Sequence, residues 1–165
     1  MLRGNLEYPN NVRMIPLLIA LMMAQEVLPQ ASQPPAETRL GRLELFEAVI
    51  RYQIESWEQR AYTYCIAING VDAESTLLDR LRPFHVERAS ACHRLNQKPV
   101  MPVVDAKSKD SVIFNLGTIR NLSDSEVEVD GGYFCGNLCM AQGTYHVVHE
   151  TSGWHVLRFV AQFTL

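Results

Sequence analysis

The chain has 165 residues, which corresponds to one domain at the usual size of about 100–200 residues. It is 47% hydrophobic and 20% charged, a composition too apolar for a disordered chain. The net charge of −3 and the scattered basic residues argue against a nucleic-acid-binding protein, which needs clustered Lys and Arg to displace counterions from phosphates.

The first 24 residues have the pattern of a signal peptide. Residues 14–24 (MIPLLIALMMA) carry no charge, and Arg3 and Arg13 precede them. A bilayer span takes about 20 apolar residues, whereas the apolar part of a signal peptide has about 7–15. Cleavage after Ala24 therefore predicts export to the periplasm or the exterior, with no stable membrane span after processing. The alternative is a buried N-terminal helix of a cytosolic protein.

A proline-rich linker is predicted over residues 25–38, ahead of a single domain over residues 39–165. The domain opens with apolar residues spaced three and four apart, which predict an amphipathic helix over residues 39–60 with Thr38 as its N-cap. The apolar stripe of this helix consists of Leu43, Phe46, Ile50, Ile54 and Trp57.

The rest of the domain reads mainly as strands. The expected strands cover residues 62–69, 112–120, 126–130, 144–149 and 154–160, with a short helix over 74–81, an extended segment over 85–92 and a polar loop over 96–110. These elements predict an α+β fold, in which one long N-terminal helix packs on a curved, mainly antiparallel sheet and a short second helix follows.

The four cysteines are Cys65, Cys92, Cys135 and Cys139. An even number in an exported chain predicts disulfides, and four cysteines can pair in three ways. The short spacing of Cys135 and Cys139 favours a small ring, which leaves Cys65 to pair with Cys92. Pairing of Cys65 with Cys135 or Cys139 stays open.

Two other uses of the cysteines fit the spacing less well. A redox-active dithiol usually has two intervening residues at a helix N-terminus, whereas three residues in a glycine-rich segment separate Cys135 from Cys139. A zinc site would add His146 and His149, but these two histidines point to opposite faces of a strand. We therefore expect no metal and no cofactor.

No motif identifies a catalytic centre. Ser90 and His93 flank Cys92, but no Gly-x-Ser-x-Gly turn surrounds Ser90 and no acid can be assigned to His93. A pocket between helix and sheet would need ionisable groups that point inward. The candidates for such groups are His85, His146, His155 and Asp105.

The C-terminal segments Gly143-Thr144-Tyr145 and Gly153-Trp154 form a predicted hairpin that resembles the end of cystatin-like and NTF2-like domains. The chain also resembles small exported bacterial proteins without an assigned function. The resemblance implies that Trp154 packs against the long helix, although the catalytic Asp–His pair of NTF2-like enzymes has no counterpart here. We expect a non-catalytic binding module for a protein or cell-envelope component; the alternative is a small-molecule-pocket protein or an enzyme of NTF2-like type.

Overall fold

A computed structural model describes residues 38–57, 63–96 and 102–164, so the predicted signal peptide and residues 25–37 of the predicted linker lie outside the described residues. The helices are α1 (Arg39–Ser56) and α2 (Ser75–Arg80). The strands are β1 (Thr63–Ile68), β2 (Val71–Asp72), β3 (Val86–Arg88), β4 (His93–Arg94), β5 (Val103–Val104), β6 (Ser111–Ser123), β7 (Glu126–Gly136), β8 (Cys139–Glu150) and β9 (Gly153–Thr164). Neither helix is long and apolar enough to cross a membrane.

Seven strands form one open sheet. Six of them follow the order β2-β1-β6-β7-β8-β9, and the seventh, β3, also pairs with β1. The strands β6 to β9 are joined as consecutive antiparallel hairpins. The structure confirms the predicted α+β fold with one long helix, a short second helix and a mainly antiparallel sheet. The parallel pairing of β1 with β3 and β6 was not predicted, because parallel neighbours are far apart in sequence.

The helix α1 begins at the predicted cap, where the Thr38 hydroxyl oxygen accepts a hydrogen bond from the Gly41 N–H at 2.9 Å. It ends at Ser56, before the predicted end at residue 60. Trp57, which follows the last helical residue, is half-buried, and its ring meets those of Phe114 and Tyr133 edge-on. The predicted stripe therefore extends past the helix itself.

The buried face of α1 is wider than the predicted stripe. Leu45 and Val49 are fully buried beside Phe46 and Ile50, whereas Leu43 is half-buried. These side chains share one core cluster with residues on one face of the sheet, namely Phe114, Leu116, Val127, Val129, Tyr145 and Val147. Each buried apolar side chain of this kind stabilises the fold by about 1.5–3 kcal/mol.

The hairpin of β7 and β8 is longer than the strands predicted over residues 126–130 and 144–149. The two strands stay paired as far as Gly136 and Cys139, so the segment around the cysteines is regular β-structure. The glycines permit close contact between strands, because a Cβ atom at Gly132 would overlap the carbonyl oxygen of Ala141. Glycine in a strand therefore marks close contact here rather than a loop.

A smaller apolar cluster lies on the opposite face of the sheet, which we call the open face. Cys65, Cys92 and Val103 are buried there, with Ile113 and Phe134 packed against them. Cys65 alternates along β1 with Tyr64 and Ile66, which belong to the core cluster beneath α1. The segments that carry β4 and β5 thus cover one end of the open face.

Candidate functional site

The structure brings the cysteines together in two pairs. The Cα atoms of Cys65 and Cys92 are 6.2 Å apart, and those of Cys135 and Cys139 are 5.2 Å apart. Both distances fall within the range of about 4.4–6.8 Å that a disulfide requires. The first pair joins β1 to the residue before β4, and the second closes the tip of the β7–β8 hairpin.

The four residues considered for zinc are not brought together. His146 lies 3.4 Å from the Glu128 carboxylate, whereas the ring of His149 meets that of Trp154 edge-on. Six strand residues separate His146 from Cys139, so the two lie seven steps apart along β8, roughly 23 Å at about 3.3 Å per step. Among the described residues, no group of three or more His, Cys, Asp and Glu side chains could hold a metal ion.

Ser90 has an acidic partner rather than a base. Its hydroxyl donates a hydrogen bond to Asp72 Oδ2 at 2.7 Å, and its backbone N–H donates one to Oδ1 at 2.7 Å. These bonds lower the pKa of the Asp72 carboxyl, with the hydroxyl contributing most. His93 is exposed on β4. Ser90 therefore connects the turn over Ala89–Ala91 to Asp72 of β2, and its role is structural.

The candidate pocket residues lie in separate places. His85 is exposed and has a left-handed backbone conformation, with φ of 54°. His155 is also exposed, and its Nε2 lies 2.8 Å from the Ser152 hydroxyl in the β8–β9 turn. His146 belongs to the open face, because it pairs with Glu128 across the strands. The cavity that His85 lines contains neither His146 nor His155.

Asp105, the fourth candidate, organises a turn. Its Oδ1 accepts hydrogen bonds from the backbone N–H groups of Lys107 and Lys109, and its Oδ2 accepts one from the Thr63 hydroxyl. These bonds lower the pKa of the Asp105 carboxyl, and the bond from the Lys109 N–H contributes most. The carboxylate is therefore engaged within the loop between β5 and β6 and is not directed into a pocket.

The polar groups between α1 and the sheet are ones that the sequence analysis missed. Gln53, which is 4% exposed, donates hydrogen bonds from its amide nitrogen to the Tyr145 hydroxyl oxygen and the Gly132 carbonyl. Burial raises the pKa of the Tyr145 phenol. The burial of Gln53 was indicated by the helical spacing, because Gln53 follows Phe46 by seven residues and lies on the same helical face.

A cluster of charged side chains lies on the open face. Arg120 donates hydrogen bonds to both Asp130 oxygens, at 2.6 and 2.8 Å, and to Glu128 at 3.1 Å. The guanidinium group lowers the pKa of the Asp130 carboxyl, chiefly through these hydrogen bonds. Arg120 thus lies between two carboxylates of β7, and the three side chains together carry one net negative charge.

The open face also contains a cavity of about 480 Å³, which we call the open-face groove. Its position follows from strand register, because one row across four strands runs Asn115, Gly132, Gln142 and Phe163. Gly132 contributes no side chain to this row. The principal side chains that line the groove are Arg94, Asn115, Phe134, Met140, Gln142 and Phe163.

The outer edge of β9 is the second notable surface. β9 has 12 residues and ends the strand order, and none of the described residues pairs with its outer edge. Three large apolar side chains of β9 are exposed, at 61% for Leu157, 43% for Val160 and 49% for Phe163. An exposed apolar edge strand can pair with a strand of another chain.

Comparisons with protein-family models, curated proteins and solved structures find no match to this chain.

Proposed function

We propose that this chain is an exported, disulfide-braced interaction module, and that its partner is a protein that adds an extended strand to the outer edge of β9. The observation that carries the proposal is the unpaired 12-residue edge with exposed Leu157, Val160 and Phe163. In strand addition, backbone hydrogen bonds supply affinity, and exposed side chains of the edge supply specificity.

The composition of β9 supports a binding edge. Natural proteins protect free edges with lysine, proline or a covering segment. β9 contains neither lysine nor proline, and Arg158 is its one residue with a permanent charge. The inner face of the strand is fixed by Phe159, whose ring stacks on Tyr145. Phe159 thus packs β9 against the core, while Leu157, Val160 and Phe163 remain exposed for contact with a partner.

Two irregularities in the pairing of β8 with β9 support a narrower choice of binding segment within β9. Leu157 and Gln162 each stand as an extra residue in the register. The segment between them, residues 158–161, pairs regularly with residues 143–146 of β8. We therefore place the added strand along residues 158–161, with Val160 as the apolar contact.

Export is supported by the two cysteine pairs at bonding distance and by the signal-peptide pattern of residues 1–24. Disulfides persist in oxidising compartments and are rare in the cytosol. In such a compartment the partner is a secreted protein or a component of the cell envelope.

Site-specific photo-cross-linking in the native host tests the proposal. Benzoylphenylalanine in place of Leu157 or Val160 should give adducts with a partner protein. The same residue in place of Leu122, which is 52% exposed at the end of β6, is the matched control and should give none. Adducts from all three positions, or from none, would contradict a binding edge at β9.

Amide hydrogen exchange on the purified complex tests the mode of binding. Strand addition should slow exchange of β9 amides that face outward, because they gain carbonyl partners. Val160→Lys should remove both the added protection and the adduct from position 157. Protection confined to other strands would place the partner elsewhere.

A further inference from the structure

We propose that the open-face groove binds a small monocarboxylate with an apolar body, held by Arg94. This site shares Phe163 with the exposed side chains of β9, but it does not depend on the partner proposed above. The argument rests on the charge, the hydrogen-bond donors and the apolar lining of the groove.

Arg94 forms no ion pair with an acidic side chain of the described residues. The lining of the groove contains no Asp, Glu or His among the described residues. By contrast, the open-face residue Arg120 is paired with two carboxylates. The groove is therefore complementary to a single negative charge.

The Arg94 side chain is held in place by Phe134. Its guanidinium carbon lies 3.9 Å from the centre of the Phe134 ring, within the distance of a cation–π contact. The residue also belongs to β4, which pairs with β5. A guanidinium group held in this way keeps its N–H groups available for a carboxylate, which it can bind with two parallel hydrogen bonds.

Amide groups add uncharged donors. Asn115 Oδ1 accepts a hydrogen bond from the Gly70 N–H at 3.2 Å, which leaves the Asn115 amide nitrogen as a donor on the groove side chain. Gln142 is exposed in the same cross-strand row. Donors in a lining that contains no carboxylate favour an anion over a cation.

The remaining lining is apolar. Phe134 and Met140 are register partners on one side of the groove, and Phe163 closes the row on the other. The volume of about 480 Å³ lies within the usual range for small-molecule sites, about 300–1,000 Å³. The occupant is therefore a small acid with an apolar body rather than a simple inorganic anion.

Titration with cinnamate, monitored by NMR of the isotope-labelled protein, tests the proposal. Cinnamyl alcohol and cinnamylamine have nearly the same body without the negative charge. We expect cinnamate to shift the amide signals of the groove residues and to bind at least about tenfold more tightly than either neutral or cationic probe, as a charge-assisted hydrogen bond requires. Equal affinity for the three probes would overturn the assignment of an acid.

Three variants test the role of the charge. Arg94→Gln should weaken cinnamate binding at least about tenfold, and Gln142→Glu should weaken it through repulsion. Arg42→Gln is the matched control, because Arg42 is exposed on α1 outside the groove, and this variant should bind as the wild type does. Unchanged binding by Arg94→Gln, or an equal loss in Arg42→Gln, would overturn the site.

Absence of shifts at the groove residues at millimolar cinnamate would also overturn the proposal. If a short peptide with a C-terminal phenylalanine binds more tightly than cinnamate, the ligand is a peptide C-terminus, and the assignment of a small free acid is overturned. Neither result bears on the cross-linking at β9, so the two proposals fail separately.

Discussion

Gln53 of α1 and Tyr145 of β8 are joined by a 2.5 Å hydrogen bond from the Gln53 amide nitrogen to the Tyr145 hydroxyl oxygen. Both residues are buried at the contact between the helix and the sheet. The Gln53 amide oxygen has no hydrogen-bond partner among the described residues. The pair is therefore a polar contact within an otherwise apolar interface, and its energy depends on both members being present.

A double-mutant cycle should show that the two residues are coupled. Tyr145→Phe removes an acceptor from the Gln53 amide, and Gln53→Leu leaves the Tyr145 hydroxyl buried, so each should lower the free energy of unfolding by about 1–3 kcal/mol. The double variant removes both polar groups and should lose less than the sum, with a coupling of about 0.5–3 kcal/mol. Urea denaturation gives the free energy of unfolding of the wild type, the two single variants and the double variant. Additive losses would contradict the contact.

Tyr145 should also make the protein less stable at alkaline pH. Burial raises the pKa of its phenol above the ordinary value of 10.0. The stability that this group contributes is complete below its unfolded pKa and is lost as the pH rises through the folded pKa, because the unfolded state releases the proton first. The free energy of unfolding should fall above pH 10 by up to about 1.4 kcal/mol per pH unit. Tyr145→Phe should lack this component of the slope.

Gly132→Ala should destabilise the β7–β8 hairpin. The added Cβ atom would overlap the Ala141 carbonyl oxygen, so the strands must move apart, at a cost of about 1–3 kcal/mol or more. Gly117→Ala is the matched control, because the nearest atom to its Cβ would be the Asp130 carbonyl oxygen at 3.7 Å. Thermal unfolding compares the two variants, and equal melting temperatures would contradict the close contact.

Removal of the disulfides should have unequal effects. The entropy of loop closure predicts a loss of about 3.5 kcal/mol without the Cys65–Cys92 bond and about 2 kcal/mol without the Cys135–Cys139 bond. Burial of Cys65 in the open-face cluster adds to the first loss. Paired Cys→Ser variants, unfolded in urea, measure both. Intact mass with and without reductant checks the bonds themselves, and a free thiol in the untreated protein would contradict them.

Asp105→Asn should lower the melting temperature at neutral pH, because the amide retains one acceptor oxygen where the carboxylate has two. Hydrogen bonds from Lys109 and Lys107 hold the Asp105 pKa below 3.8, so the stability it contributes is present above that value and is lost as the pH falls through the folded pKa. The difference from wild type should therefore shrink in acid. Asp124→Asn, at an exposed turn residue, is the control and should leave the melting temperature at neutral pH unchanged.

Local patterns in the sequence predict the elements that form from neighbouring residues. The start of α1 follows from Thr38, because a side-chain cap acts within one turn. The helical periodicity of Phe46 and Ile50 places α1 on the sheet, although the same periodicity also buries Gln53, which polarity alone assigns to solvent. The short spacing of Cys135 and Cys139 predicts their proximity for the same local reason.

The candidate site, in contrast, was decided by tertiary structure. The open-face groove joins Arg94 of β4 to Gln142 of β8, and its floor depends on which residues of four strands stand opposite Gly132. Strand register is set by long-range pairing, and a shift of one residue would turn each side chain to the other face. The sequence determines which side chains are available, but pairing between distant strands decides which of them share a surface.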